Sequence, residues 1–451
     1  MSTSAPPQQT AKPWGLRSLG PAIIVASATL GPGCVLTASR NGYDYGYQTV
    51  WVLALAGVLL FALTALSARL GVGLRGTLCD ELAAGLGRPA AALVGLSLFL
   101  INACFQFGVN LGAVAALEPF YEAGSSWGKV LPVAIIVNMN VVVIVALFGF
   151  QAFYQPVEKM MKFLISLMVF GFAINIFFAK PDWAAVAGGL VPRMPELRNG
   201  DASASLTERL QPMISMFAST FAIGAAFYQA YLVRQKGWTL DDTRKGLIDS
   251  AVGISIVVLV TVMILATAAS MLNVQHGAQF ATVADIARQL EPTFGAQAKV
   301  LFSLGIFAAA CGAFLMNAMI GGTVLADGLG LGGTMDGLPT KIFTVLVLAI
   351  GMNVALYIVV TGQRPVYWIV AIQAFTVLAC PILAAAMAYL AFRPTSVPGL
   401  VTWWMKLLAV GALVLQIVVA VQTAYILYHG MKAEDTAAQT PAEATPLMVP
   451  D

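Results

Sequence analysis

Potential chemistry in this sequence concentrates where a proline sits between two glycines. The segment Ala28, Thr29, Leu30, Gly31, Pro32, Gly33, Cys34 lies inside an apolar stretch long enough to cross a bilayer. Pro32 offers no backbone N–H and its ring clashes with the preceding turn, while the glycines lower the cost of leaving helical geometry. The bland reading is a kink; the other is an unwound segment, which the paired glycines favour. Half-helix ends created there expose carbonyls on one side and N–H groups on the other, and together these can hold an ion or a polar solute. Cys34 adds one soft ligand at the break, although packing as a small hydrophobe is the default role of such a thiol.

A milder interruption, Ala222, Ile223, Gly224, Ala225, Ala226, lies in the sixth apolar stretch and leads into Tyr228 and Gln229. Discontinuities at matching places five helices apart predict two inverted five-helix repeats with a site at their interface. Gln106 and Asn110, one turn apart on the third stretch, share a helix face and form the candidate neutral lining, with Tyr228 and Gln229 as supplements. Asn102, Asn138, Asn140 and Asn317 are the other polar residues in apolar stretches, and interhelical hydrogen bonding accounts for each of these polar side chains taken singly.

The elements that must position these groups are membrane helices. Of the 451 residues, 59% are hydrophobic and only 10% charged, against about 25% charged in a soluble globular protein. Too few charges exist to clothe a water-soluble surface. Eleven candidate spans are legible, at about 18–40, 47–70, 90–117, 130–150, 157–179, 212–234, 246–272, 297–322, 340–361, 366–391 and 400–428; each approaches the ~20 helical residues that cross the hydrocarbon core. The predicted fold is therefore an all-α integral membrane protein. It divides into a disordered cytoplasmic tail (1–17), a first five-helix repeat (18–179), an extracellular link (180–211), a second repeat (212–391), an eleventh helix (400–428) and a disordered tail (432–451).

Several function classes fall away. A net charge of +3 without a basic stripe does not suggest nucleic acid, and His276 and His429 lie outside the apolar stretches. The five cysteines form no CxxC pair, so neither a zinc knuckle nor a disulfide framework is supported. No nucleophile–base–acid set argues for an enzyme, and no cofactor is implied. The Gly-rich run 321–337 lacks the ending of a phosphate loop and reads as a flexible connection. The expected partners are the lipid bilayer and a small transported ion or solute.

The early motifs, taken as a set, carry a resemblance. Gly31-Pro32-Gly33-Cys34 is followed by Tyr45-Gly46-Tyr47 and then Ala68-Arg69-Leu70-Gly71-Val72. Further on come Glu158-Lys159, Lys180-Pro181-Asp182-Trp183, Gly189-Leu190-Val191-Pro192, Gln373 and Pro381. Over roughly residues 15–430 this pattern resembles the natural resistance-associated macrophage protein family, which opens with an Asp-Pro-Gly-Asn motif. The resemblance implies a LeuT-type fold with discontinuous helices 1 and 6, and proton-coupled uptake of divalent transition metals. In that family the first-helix Asp and Asn and a sixth-helix Met hold the metal, helped by backbone carbonyls and a tenth-helix Gln. Here the Asp and Asn positions are Gly31 and Cys34, and the sixth-helix Met-Pro-His motif falls on Ala222-Ile223-Gly224. Of the implied ligands, Gln373 and backbone carbonyls, including that of Ala28, are kept. The third-span acids linked to proton movement fall on Gln106 and Val109.

Stripping water from a divalent cation demands hard anionic oxygens, and no Asp or Glu falls in the middle of any span. The leading expectation is a secondary transporter of a metal cation in the cell membrane, with a remodelled site and little proton coupling. A carrier of a small neutral or zwitterionic solute, and a non-transporting sensor on the same scaffold, are the rivals. Orientation follows from the basic residues: short inner loops concentrate Arg234, Lys236, Arg244 and Lys245, whereas the short outer loops and tail hold only Arg40, Lys129, Arg364 and Lys432. The expected outcome of reporter fusions is a cytoplasmic N-terminus and an external C-terminus; both ends on one side would refute the eleven-span count.

Overall fold

The computed structural model describes residues 20–121, 126–149, 154–196, 206–271, 296–362, 365–395 and 397–439, almost all in helices. In chain order these are α1 (Pro21–Thr29), α2 (Pro32–Tyr45), α3 (Val50–Gly73), α4 (Leu78–Leu86), α5 (Arg88–Leu117), α6 (Ser126–Gly149), α7 (Tyr154–Ala179) and α8 (Trp183–Gly188). They continue with α9 (Leu206–Thr220), α10 (Ile223–Gln235), α11 (Thr243–Met271), α12 (Ala296–Gly328), α13 (Leu338–Thr361), α14 (Pro365–Phe392) and α15 (Trp403–Gln439).

Among the described residues nine helices are long and apolar enough to cross a membrane, with α9 and α10 taken together over Leu210–Gln235. The pair α1 and α2 makes a tenth, bent by 59° at its break. Within α14 the apolar part that is described is the shorter Thr376–Phe392. Both expected discontinuities are present. The first falls at Leu30 and Gly31, and the second at Phe221 and Ala222.

Two expectations need correction. The last helix does not stop near 428 but continues to Gln439. Residues 431–439 hold neither Gly nor Pro and are rich in Ala and acidic helix formers, so nothing ends the helix before Pro441. The Gly-rich run is not a loop throughout, because its first half to Gly328 belongs to α12. There glycine serves packing: a Cβ on Gly321 would sit 3.1 Å from the Cβ of Asn102. The link 273–296 lies almost wholly outside the described residues, and so does His276.

Burial sorts the helices into a core and a rim. The apolar window of α12 is 83% buried, whereas that of α6 is 22% and those of α7, α13 and α15 are 33%. Phe163, Phe170 and Phe177 recur at seven-residue intervals on the exposed side of α7, as a lipid-facing stripe requires. Hydrocarbon gives helices no reason to expel apolar side chains, so association depends on close backbone approach through small residues. The central pair α5 and α12 shows this directly. A Cβ on Gly95 would lie 2.8 Å from the Val324 carbonyl oxygen, and one on Gly328 would lie 2.6 Å from that of Ala91.

Replacing Gly95 with Leu should therefore force α5 off α12. The expected cost is about 1–3 kcal/mol, read as a lower unfolding midpoint in detergent. A matching Leu at Gly411, which faces nothing within 4 Å, should leave the midpoint unchanged.

Candidate substrate site

The first break is a consequence of backbone accounting. Pro32 has no N–H for the carbonyl of Ala28, and the Gly31 N–H turns to the Thr29 carbonyl at 2.9 Å rather than to Ser27. The helix resumes when the N–H groups of Cys34 and Val35 both donate to the Gly31 carbonyl, at 3.0 and 3.3 Å. At the second break the Phe221 N–H still closes α9 on Phe217, and Ala225 and Ala226 reopen the helix on the Ala222 carbonyl. Side chains pin the two broken spans to one another and to α11. Thr37 and Ser219 share a hydrogen bond of 2.7 Å, and the Cys34 thiol lies 3.5 Å from the Thr261 hydroxyl.

A cavity of about 80 Å³ lies between these breaks and is closed by α5, α12 and α14. That is room for several waters, since one needs about 10–15 Å³ by this measure. Ala28, Gly31, Pro32, Gly33, Cys34, Ala222 and Gly224 all line it, as the sequence reading expects. Asn102, Cys104, Ser219, Asn317, Thr376 and Cys380 supply further polar or soft atoms. The remaining lining is mostly aliphatic and aromatic, and no Asp, Glu, Lys, Arg or His is among the lining residues described. Nor do any three His, Cys, Asp or Glu side chains among the described residues form a group that could hold a metal ion.

Four expected site residues are placed elsewhere. Gln106 packs on α13, where a Cβ on Gly351 would lie 2.6 Å from its Cβ. Asn110 accepts a 2.9 Å hydrogen bond from Asn140 of α6. Both stand on the flank of α5 beyond the arc Ile101, Phe105, Gly108, Val109 that meets the cavity. Sharing a face was correct for this pair; the face was the wrong one. Tyr228 shares a 3.2 Å hydrogen bond with Thr323, and Gln229 lies beside the carboxylate of Asp249. The cavity touches only the first turn of α10, and these two residues come later. Gln373 lies on α14, but its side chain is outside the described residues.

The sequence reading overlooked Ser219 and Thr376 as lining residues. The legible signal was the residue i−3 to the Ala222 break and the residue i+3 from Gln373. It also missed two carboxylates buried near helix ends. Asp327 accepts a 2.6 Å hydrogen bond from Tyr231, and Asp249 is 1% exposed.

A model described as natural resistance-associated macrophage protein-like matches residues 22–426. This chain belongs to that family. Its similarity to the divalent metal cation transporter MntH of Deinococcus radiodurans is 23% identity over 337 residues, 71% of this chain and 72% of that one. The MntH of Pectobacterium carotovorum subsp. carotovorum is 22% identical over 319 residues, 70% and 74% of the two chains. In fold, the chain matches a manganese transporter of Eremococcus coleocola with a TM-score of 0.73 at 16% identity, over 92% of this chain and 88% of that one. A Na+-coupled sialic acid symporter matches with a TM-score of 0.57 at 13% identity, over 90% and 89%. The architecture is thus the LeuT-type fold of these carriers, here around a cavity with no charged side chain among the lining residues described.

The geometry separates packing residues from lining ones. Asn110→Leu should strip the Asn140 amide of its interhelical partner, leaving it only the Ile136 carbonyl, and cost about 1 kcal/mol of stability, while leaving the reaction rate of Cys104 with a small methanethiosulfonate reagent unchanged. Asn102→Trp should fill the cavity and slow that reaction severalfold. Equal effects of the two substitutions on Cys104 would contradict the assignment.

Proposed function

We propose that this protein is a secondary transporter of a metal cation in the cell membrane, with a remodelled central site and little or no proton coupling. In this reading the chain crosses the membrane eleven times, as two five-helix repeats and one further helix, with its N-terminus in the cytoplasm and its C-terminus outside. The observation that carries the reading is a break in span 1 that leaves the Ala28 carbonyl without its helical partner, beside a cavity with no charged side chain among the lining residues described. Membership of the family and the names of the MntH relatives support a metal cation as cargo.

Neutral oxygens and thiols cannot repay the full dehydration of a hard divalent ion. The ion therefore keeps part of its water, for which the cavity has room, and the freed carbonyls with Asn102, Asn317 and Thr376 meet that shell. Proton coupling would need a titratable carrier beside the cargo. The buried acids Asp249 and Asp327 do not line the cavity; each already accepts hydrogen bonds from the protein. A small neutral or zwitterionic solute is the second reading. It is favoured by the largely apolar lining and by the fold shared with a symporter of an organic solute.

Calorimetry on the purified protein should find Mn²⁺ bound more weakly than about 1 mM, near −4 kcal/mol. Gly31→Asp with Cys34→Asn, which places a carboxylate at the break, should tighten it. In proteoliposomes holding a pH-sensitive dye, metal influx should proceed without acidification of the lumen. Micromolar Mn²⁺ affinity in the unaltered protein, or acidification that tracks uptake, would overturn the remodelled, uncoupled site. Flux of an organic solute that metals fail to inhibit would favour the second reading.

A further inference from the structure

We infer that the lipid-facing side of α6 and α13 is the interface for a second copy of this chain, joined within the membrane by hydrogen bonds between the amides of Asn138 and Asn353. The inference requires a membrane-spanning bundle and no particular cargo.

Both residues are exposed, and each donates one amide hydrogen to the carbonyl four residues earlier in its own helix: Asn138 to Ala134 at 2.8 Å and Asn353 to Ala349 at 2.7 Å. An asparagine side chain has two donors and an accepting oxygen. One N–H and the carbonyl of each amide are therefore left without a partner among the described residues. Water would solvate them, but neither residue is placed to meet it. Asn138 stands near the middle of the span Val130–Gly149, and Asn353 lies eight residues before the end of Leu338–Thr361, about 12 Å along the helix. Hydrocarbon offers such groups no hydrogen bond. Elsewhere the bundle meets this need between helices, as where Asn140 donates to Asn110 at 2.9 Å. Asn138, expected from sequence to bond in the same way, reaches no other described helix.

The two amides face away from the core at one depth. Two residues along a helix make a turn of about 200°, and the residues two away on either side are buried: Ile136 and Asn140 around Asn138, Gly351 and Ala355 around Asn353. Each amide is thus on the side of its helix opposite the packed one. Ile136 shares a buried cluster with Ala355 and Ile358, and Val143 and Ile144 pack on the next with Val347 and Leu348. This antiparallel register sets Asn138 level with Asn353. The face around them is apolar, with Val141, Val145, Leu346 and Ile350 exposed, and lipid covers such side chains as well as protein does. Only the amides call for a protein partner. A two-fold axis along the membrane normal keeps every residue at its own depth and gives an isologous contact, so level amides meet level amides. Each amide carries both donor and acceptor, which makes the surface self-complementary and a second copy its occupant.

The experiment is energy transfer between copies of the full chain labelled at the C-terminus with donor or acceptor and reconstituted together in liposomes over a series of protein-to-lipid ratios. The unaltered protein should show transfer above that of random encounters, saturating as the ratio rises. Asn138→Leu with Asn353→Leu should lower the association constant at least about tenfold, because symmetry counts each substitution twice while a single amide bond in a membrane is modest. Both changes face lipid, so the unfolding midpoint in detergent should not fall. Asn138→Gln with Asn353→Gln keeps the amides and should recover most of the association. Phe170→Leu, on the exposed side of α7, should change nothing. Transfer no greater than random encounters at every ratio overturns the inference. So does association that the leucine pair leaves intact, which puts the interface elsewhere, or association lost only together with the unfolding midpoint, which makes the amides part of the fold of one copy.

Discussion

In hydrocarbon an unpaired backbone carbonyl or N–H costs several kcal/mol, and this constraint governs the arrangement around residues 28–34. Once Pro32 withholds its N–H from Ala28, the chain must surround the break with protein or water. Spans contributed by α5, α9, α10, α12 and α14 do so, and the space they leave is the cavity. The second break meets the first across the Thr37–Ser219 hydrogen bond, so each discontinuity supplies part of the other's enclosure. Candidate site and helix break are here the same feature.

Charge has been moved from the centre to the ends. The described cavity lining offers amides, hydroxyls and thiols, whereas buried carboxylates stand near the N-terminus of α11 and the C-terminus of α12. Asp249 takes the opening N–H groups of α1, and Asp327 takes the Tyr231 hydroxyl while its own carbonyl accepts from Arg88 at 3.1 Å. Carboxylates used this way fix helix ends and do not offer a free oxygen to a cation in the cavity. In the transport reading proposed above, such an arrangement suits a weakly bound, hydrated cargo, because the half-helices are held by the protein.

Glycine does two different tasks in the bundle. At Gly31, the N-cap of α2, it sits where the chain leaves helical geometry. At Gly95, Gly253, Gly328 and Gly351 it stays helical and admits a neighbour: carbonyls of Val324, Ala22 and Ala91, and the side chain of Gln106. The same residue type in the same apolar context therefore carries no label saying which task it performs.

That ambiguity marks the limit of the sequence. Composition and block length alone determined a helical membrane protein, because hydrocarbon leaves few other ways to pair the backbone. Pro32 between glycines located the first break, since the missing N–H is a covalent property, and the mild run at Ala222–Ala226 located the second. The cavity-lining positions of Ala28, Gly31, Pro32, Gly33, Cys34, Ala222 and Gly224 followed from those breaks. Rotation of each helix about its axis was decided only by tertiary packing. Gln106 and Asn110 turn toward α13 and α6 because Gly351 leaves a recess and Asn140 a partner, and neither is visible from the third span. Asn102, a turn earlier on that helix, faces the cavity instead. Asp249 reads in sequence as an acid near the start of a span; that it caps a half-helix more than two hundred residues away is a fact of contact, set by which helices pack together.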